Sequence, residues 1–188
     1  MPDLNDALGG QSVSYWIGLD GIDDGTNPDP IVIQAGFDAN KQQDGTVTYE
    51  AWYEWFPNSK VPISTNDFSA SAGESVAIGV TVTDAGTTAH AVFINEVTGQ
   101  DYEADFFSPN EDTDARGQSA QWVIEEAPGT TLANFGTIQF INCAAMDANH
   151  VDYGVSGGTT VDLVVDGNTL ATGAIASDTE VDATYTGP

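Results

Sequence analysis

The chain has 188 residues, of which 40% are hydrophobic, and this size and composition predict a single globular domain, 1–188, with a sizeable core. Its 29 acidic residues stand against only three basic ones, Lys41, Lys60 and Arg116, giving a formal net charge of -26. Such a surface repels nucleic acid and anionic membranes, and no apolar run approaches the ~20 residues of a membrane span. We therefore expect neither a nucleic-acid partner nor a membrane association.

The acidic excess itself has two physical explanations. A protein from a salt-rich habitat uses dense carboxylates to stay soluble. A secreted protein that works in acid benefits from having few cations, because it carries little positive charge once its carboxylates are protonated. The second explanation is favoured. No leader sequence is visible at Met1, so either the chain is intracellular or, as we expect for a secreted protein, a signal peptide has been removed.

Short alternating runs separated by turn residues recur along the chain, and no segment keeps helical periodicity over three turns. The predicted strands are about 13–20, 31–38, 46–56, 75–83, 88–97, 101–107, 119–126, 136–143, 159–166 and 180–186. Turns are predicted between them at Asp44-Gly45, Thr98-Gly99, Pro128-Gly129 and Asp166-Gly167. Many short strands without helices predict an all-β fold, an antiparallel β-sandwich.

The first two predicted strands each place polar residues opposite an apolar face. In the first, Trp16, Gly18 and Asp20 alternate with apolar residues; in the second, Gln34, Gly36 and Asp38 do so. The acidic loop 21–30 between the two strands lacks the spacing of an EF-hand, and it is predicted to be a solvated turn rather than a calcium site. The polar faces of these strands are candidates for one wall of a groove.

The segment Tyr49–Pro57 is the most aromatic strand. One of its faces carries Glu50, Trp52 and Glu54, two carboxylates flanking an indole, which is typical of a strand that lines a groove. The segment 121–126 leaves two choices, because Glu125 shares a face with Gln121 whereas Glu126 shares one with Trp122. The face of Glu125 is the more polar and the better candidate for the groove.

The residues of the predicted groove lack the components of most hydrolytic active sites. The two histidines, His90 and His150, lie outside the groove segments, so a Ser-His-Asp or Cys-His arrangement is improbable. The sequence has no His/Cys cluster with metal-ligand spacing, and no metal or other cofactor is expected. Carboxylates, one glutamine and tryptophans remain, and carboxylates can support acid–base hydrolysis.

Five blocks resemble the signature of the glutamic peptidases, the eqolisins of family G1, in order and spacing. They are 16–21 (WIGLDG), 33–38 (IQAGFD), 49–57 (YEAWYEWFP), 121–126 (QWVIEE) and 134–140 (NFGTIQF). The resemblance implies a sandwich of two seven-stranded sheets whose concave face forms the substrate cleft. It also implies that Gln34 and Glu125 are the catalytic pair, with Glu126 as the competing assignment for the glutamate.

The resemblance implies an acid endopeptidase that acts on polypeptides without a metal or a covalent intermediate. Glu125 would activate a water as general base, and the Gln34 amide would hold that water and stabilise the oxyanion. The substrate would contact cleft residues, namely Trp16, Asp20, Asp38, Glu50, Trp52 and Glu54. Because several carboxyl groups share the cleft, we expect an activity optimum between about pH 2 and 5.

Three features depart from the family pattern. The first strand of the family is absent before Pro2, which leaves open a separate light chain or propeptide; a monomer is otherwise expected. Ala127 stands where an aromatic residue often follows the glutamate, and Cys143 has no disulfide partner. A non-catalytic module that binds carbohydrate or peptide stays the alternative, because aromatic side chains on a concave sandwich face also stack on sugar rings.

Overall fold

The computed structural model describes residues 1–22, 31–127 and 129–188. These residues contain fifteen strands and no α-helix, and their only helical elements are single 3-10 turns at Asp84–Gly86 and Glu111–Thr113. No helix among them is long and apolar enough to cross a membrane. The predicted solvated turn at 21–30 and the predicted turn residue Pro128 lie mostly or wholly outside the described residues.

The strands follow one another along the chain with short connections. Their bounds are β1 Gln11–Asp20, β2 Val32–Lys41, β3 Val47–Phe56, β4 Val61–Pro62, β5 Val76–Thr83, β6 Thr88–Asn95, β7 Asp101–Phe107, β8 Ala120–Glu125, β9 Thr131–Leu132, β10 Thr137–Ile141, β11 Ala145–Met146, β12 Asp152–Tyr153, β13 Leu163–Val165, β14 Asn168–Ser177 and β15 Glu180–Tyr185. All ten predicted strands are present; β7 has the predicted bounds and the other nine have shifted ends. The ten-residue β14 and the two-residue strands β4, β9, β11 and β12 were not predicted.

The strands of the described residues belong to four hydrogen-bonded sheets. A six-stranded sheet has the order β4-β3-β2-β1-β8, with β9 paired to β1; the others have the orders β5-β6-β7, β10-β15-β14-β13 and β11-β12. Strand β1 pairs with β9 in parallel. The pairs β3–β4, β5–β6, β6–β7, β10–β15, β11–β12, β13–β14 and β14–β15 are antiparallel. This division is finer than the two seven-stranded sheets that the resemblance implies, since several pairings are only two residues long.

Contacts between Cα atoms divide the chain into two compact units. Unit 1 comprises Met1 with 14–38 and 48–123, and unit 2 comprises 2–13, 39–47 and 124–188.

The core of unit 1 is aromatic and joins two sheets. Phe37 of β2 lies 5.8 Å from Phe93 of β6 between ring centroids, and Phe68 lies 6.2 Å and 5.7 Å from these two rings. A second contact joins Trp55 of β3 to Phe106 of β7 at 6.0 Å. Sheet β5-β6-β7 therefore packs against the inner face of β2 and β3, which is the sheet-on-sheet packing of a sandwich.

The side chains of strand β5 alternate strictly between a half-buried and an exposed face. This alternation holds at every residue from Val76 to Thr83, and the half-buried face carries Val76, Ile78, Val80 and Val82. Trp55 is 2% exposed, and its indole N–H donates to the carbonyl of Thr113 at 2.9 Å.

Unit 2 has a smaller core around the sheet β10-β15-β14-β13. Phe135 meets Tyr185 of β15 edge-on at 5.9 Å between centroids, and Leu132, Cys143 and Ala183 are buried beside the strands. The predicted turn at Asp166-Gly167 joins β13 to β14, and both residues have positive φ, at 50° and 79°. A two-residue turn with both φ values positive fits the right-handed twist of a hairpin.

Candidate functional site

The face of β1, β2 and β3 opposite the aromatic core carries the polar residues singled out in the sequence. We call it the Gln34 face; its members are Trp16, Gly18, Asp20, Gln34, Gly36, Asp38, Trp52 and Glu54. All of them belong to unit 1. The predicted sorting of these residues onto one face agrees with the contacts between them, described next.

Two glycines make room for the indole of Trp16. A Cβ atom added at Gly36 would fall 2.4 Å from the Cβ of Trp16, and one added at Gly18 would fall 2.9 Å from Cζ3 of the same ring and 3.3 Å from the Cβ of Gln34. The indole therefore lies across both glycines and beside Gln34. Trp16 is 7% exposed, so it forms the floor of this face rather than a projecting wall.

Gln34 is the central polar side chain of the Gln34 face, and it is 7% exposed. Its amide nitrogen Nε2 donates to the carboxylate of Glu54. Its carbonyl oxygen Oε1 and the indole nitrogen of Trp16 are buried and have no hydrogen-bond partner among the described residues. Leaving a buried polar atom unpaired costs about 1–3 kcal/mol, and such costs are typical of sites that are completed by a ligand.

Burial raises the pKa of the Glu54 carboxyl above its ordinary value of 4.5. The hydrogen bond from Gln34 and the charge and backbone N–H of Lys60 act in the opposite direction, because they stabilise the ionised form. Glu54 is therefore a partly buried carboxyl whose protonation is coupled to the orientation of the Gln34 amide.

Asp38 ties three elements together. It accepts hydrogen bonds from the hydroxyl of Ser14 at 2.8 Å and from the indole N–H of Trp52 at 3.0 Å, and it forms an ion pair with Lys60 at 2.6 Å. Trp52 is 2% exposed, and the Lys60 ammonium lies 4.6 Å from the centroid of its ring. Contact of Asp38 and Trp52 with a substrate stays a prediction; in the structure their polar atoms bind neighbouring side chains.

Asp20 has a different local role. Its two carboxylate oxygens accept from the backbone N–H groups of Arg116 and Gln118, both at 2.7 Å, and it is 4% exposed. Its φ of 62° is in the left-handed region, which Asp tolerates better than most residues. Asp20 thus fixes the segment that precedes β8, and its predicted contact with a substrate also stays a prediction.

Glu50 is exposed and lies at the edge of an open cavity of about 470 Å³. The cavity is lined by residues of β3, β4 and the segment after β4, namely Thr48, Tyr49, Glu50, Pro62, Ile63, Ser64 and Thr65. Glu50 is therefore accessible to a ligand from this cavity.

The two glutamates at the end of β8 lie in unit 2. Glu125 is the last residue of β8 and is half-buried. The carboxylate of Glu126 accepts from the backbone N–H of Leu132 at 3.1 Å, and the choice between Glu125 and Glu126 as the catalytic glutamate stays a prediction. Because Gln34 belongs to unit 1 and Glu125 to unit 2, their pairing stays a prediction.

Two residues on the Gln34 face were missed by the sequence reasoning. Ser14 is fully buried and donates to Asp38, and Lys60 contacts both Asp38 and Trp52. Ser14 carried no signal beyond its place on an alternating strand. Lys60 did carry one, because it is one of three basic residues and stands only three positions after the aromatic block 49–57.

The residues left outside the site have structural partners. His90 contacts Asp105 at 2.7 Å and Glu103 at 3.7 Å on the exposed face of β6 and β7. Among the described residues, no group of three or more His, Cys, Asp and Glu side chains could hold a metal ion. Cys143 is a buried free thiol.

Comparison with known proteins identifies the family. The family model described as "Peptidase A4 family" matches residues 1–185. Aspergillopepsin-2 of Aspergillus niger is 31% identical over 176 residues, which are 92% of this chain and 58% of that protein. Scytalidopepsin B of Scytalidium lignicola is 34% identical over 125 residues, 64% of this chain and 42% of that protein.

A solved structure supports the same conclusion. The crystal structure of aspergilloglutamic peptidase from Aspergillus niger matches with a TM-score of 0.81 and 30% identity, covering 94% of this chain and 99% of that one. The match confirms the all-β, antiparallel β-sandwich fold class. The chain spans 58% of the length of Aspergillopepsin-2 and 42% of that of Scytalidopepsin B. On these matches, the chain belongs to the Peptidase A4 family, the glutamic peptidases or eqolisins.

Proposed function

We propose that this chain is an acid endopeptidase that cleaves polypeptides with Gln34 and Glu125 as its catalytic pair. Family membership supports the activity. The observation that carries the assignment of Gln34 is the state of its amide: the side chain is buried, Nε2 is held by Glu54, and Oε1 lacks a partner among the described residues. A glutamine fixed at one end and unpaired at the other is prepared to bind a small polar group.

The proposed reaction is a direct attack by water on the scissile carbonyl. Glu125, in its ionised form, removes a proton from the water as the oxygen bonds to the carbonyl carbon. The negative charge then develops on the carbonyl oxygen, where an N–H of Gln34 stabilises it while Oε1 orients the water. Glu125 returns the proton to the leaving nitrogen, the C–N bond breaks, and a carboxylic acid and an amine are released.

The Glu54 carboxyl holds the amide of Gln34 in this scheme. Because Nε2 carries two N–H bonds and one goes to Glu54, the other is free to be directed at the developing oxyanion. Preorganised donors of this kind cost no reorganisation during the reaction. Glu54 therefore acts through Gln34, as a positioning residue.

Secretion remains a proposal that follows from this activity, since a protein with a net charge of -26 and an acid optimum suits an acidic external medium. Detection of the mature protein in the culture medium of its source organism tests it. A separate light chain or propeptide and a monomeric state remain predictions; mass spectrometry and sedimentation of the native protein check them.

The test of the activity compares two substrates. A denatured protein incubated with the chain at about pH 3 is expected to yield peptides with new N-termini, and an oligosaccharide panel is expected neither to bind nor to be cleaved. Oligosaccharide binding without any peptide release at acid pH would overturn the proposal and favour the binding module. Stacking on a sugar needs a flat, exposed aromatic ring. The two tryptophans of the Gln34 face, Trp16 and Trp52, are only 7% and 2% exposed, which speaks against a sugar-binding role for them.

A further inference from the structure

Lys60 lies beside β3 because the chain folds back after that strand. Strand β4 pairs with β3 through Trp52 with Pro62 and Tyr53 with Val61. Continuing this antiparallel register by one residue sets Lys60 opposite Glu54. Residues opposite each other in antiparallel strands project from the same face of the sheet, so the side chain of Lys60 belongs to the Gln34 face.

Three contacts hold Lys60 there. Its ammonium donates to Asp38 at 2.6 Å and lies 4.6 Å from the centroid of the Trp52 ring, while its backbone N–H donates to Glu54. Asp38 also accepts from the indole nitrogen of Trp52, so the carboxylate holds the ring edge and the ammonium together. A cation over an indole contributes about 0.5–2 kcal/mol.

The side chain of Lys60 covers the ring of Trp52. Trp52 is 2% exposed, whereas the Lys60 side chain is 35% exposed and its Asp38 partner 14%. Lys60 therefore lies over the ring with its own outer side towards solvent. An ammonium has three N–H donors. The hydrogen bond to Asp38 uses one of them, and the solvent-exposed side of the ammonium leaves donors available for a ligand.

We propose that Lys60 is a specificity-determining residue, which closes the Trp52 ring to bulky apolar side chains of a substrate and binds the carboxyl oxygen of an acidic one. The proposal rests on the proposed peptidase function, since it concerns a subsite of the same cleft. It differs from the expectation that Trp52 itself meets the substrate, because Lys60 stands between the ring and the solvent.

The chemistry favours an acidic side chain for two reasons. A carboxyl oxygen accepts a hydrogen bond in either protonation state, so the contact survives in acid, and with an ionised carboxyl it becomes charge-assisted. An apolar side chain would have to displace the Lys60 stem and break its ion pair with Asp38, so it gains little from the indole beneath.

The first experiment measures kcat/KM at acid pH on matched peptides that carry Glu or Phe at one position at a time around the cleaved bond. At one of these positions we expect the wild type to cleave the Glu peptide with the higher kcat/KM. Lys60→Ala is expected to raise the ratio of kcat/KM for the Phe peptide to that for the Glu peptide about tenfold. Lys60→Met keeps the length of the stem, so it is expected to lose the preference for Glu without gaining cleavage at Phe. Lys60→Arg is expected to restore the preference.

A second experiment separates this proposal from the proposed function. Calorimetry measures binding of the same peptides with a reduced, uncleavable bond, and melting of each variant checks that it is folded; Lys60→Gln replaces any variant that is not. If the ratio of the affinities for the Phe and Glu peptides changes between the wild type and the Lys60 variants while no peptide is ever cleaved, the peptidase function is overturned and the role of Lys60 is retained. Cleavage or binding ratios that are equal in the wild type, Lys60→Ala and Lys60→Met would overturn the role of Lys60.

Discussion

Glu54 holds the side-chain amide of Gln34 on the face of the sheet opposite the aromatic core. The two residues lie on the adjacent strands β2 and β3 and are 20 positions apart in the sequence. Their bond fixes one end of the amide and leaves Oε1 as a buried acceptor without a partner among the described residues. The catalytic role proposed for Gln34 depends on this orientation.

The pKa of Glu54 predicts how stability depends on pH. Burial raises this pKa from 4.5, so the folded protein binds a proton at Glu54 more tightly than the unfolded chain does. The contribution is present below 4.5 and is lost as the pH rises through the raised value. Relative to Glu54→Gln, which does not titrate, the wild type is expected to lose melting temperature on going from pH 4 to neutrality.

Thermal melting of both proteins across that range checks the prediction, and the difference between them is the quantity to follow, since all other groups titrate in both. A difference that stays constant with pH would contradict it.

The same residue gives a prediction for activity. Because Glu54 orients Gln34, Glu54→Ala is expected to lower kcat by about 10²-fold with a smaller change in KM.

Gly36 is predicted to be intolerant of any side chain. A Cβ there would lie 2.4 Å from both the Cβ of Trp16 and the carbonyl oxygen of Tyr15, so backbone must move. We expect Gly36→Ala to cost about 2 kcal/mol and to lower the melting temperature by about 4–8 °C. Gly79→Ala is the matched control, since its Cβ would meet only the Cβ of Val92 at 4.0 Å; an equal loss in both would refute the close packing of Trp16.

The packing of the two sheets in unit 1 depends on Phe93. Its ring is fully buried and contacts Phe37 and Phe68. Phe93→Ala is expected to destabilise the fold by about 3–5 kcal/mol in urea unfolding, through lost contacts and a cavity. Phe107, 62% exposed on the neighbouring strand β7, is the control, and Phe107→Ala should stay within about 0.5 kcal/mol.

Cys143 is expected to be inert in the folded protein. Burial raises the pKa of its thiol, and the side chain is 3% exposed. The reactive thiolate is therefore scarce and shielded. A thiol reagent at pH 8 is expected to label the unfolded chain at once and the native protein only as it opens; immediate labelling of the native protein would show that the thiol is accessible.

The alternation of side chains made much of this structure predictable from sequence. Trp16, Gln34 and Glu54 could be sorted onto one face because a strand turns successive residues to opposite sides, and all ten predicted strands are present. Strand β14 was missed because its Ala, Gly and Thr residues give little apolar contrast. The pattern also could not predict that Asp20 would bind the backbone of 116–118, since that contact spans almost a hundred residues.

Lys60 shows a second limit of sequence patterns. Its position over Trp52 follows from a chain reversal and a two-residue strand, and neither has a hydrophobic period. Short edge pairings of this kind depend on the neighbouring strand rather than on their own sequence. The sequence could direct attention to a rare cation beside an aromatic block, but the ring that the cation covers became visible only in the fold.

The most direct test of the catalytic pair is acid proteolysis by four proteins: the wild type, Gln34→Ala, Glu125→Ala and the control Glu126→Gln, which keeps an acceptor for the N–H of Leu132. Each is first shown to melt like the wild type. We predict that Gln34→Ala and Glu125→Ala each lower kcat on a denatured protein by about 10²- to 10⁴-fold, while Glu126→Gln stays near wild type. Cleavage that is unaffected by the changes at Gln34 and Glu125 would contradict the account.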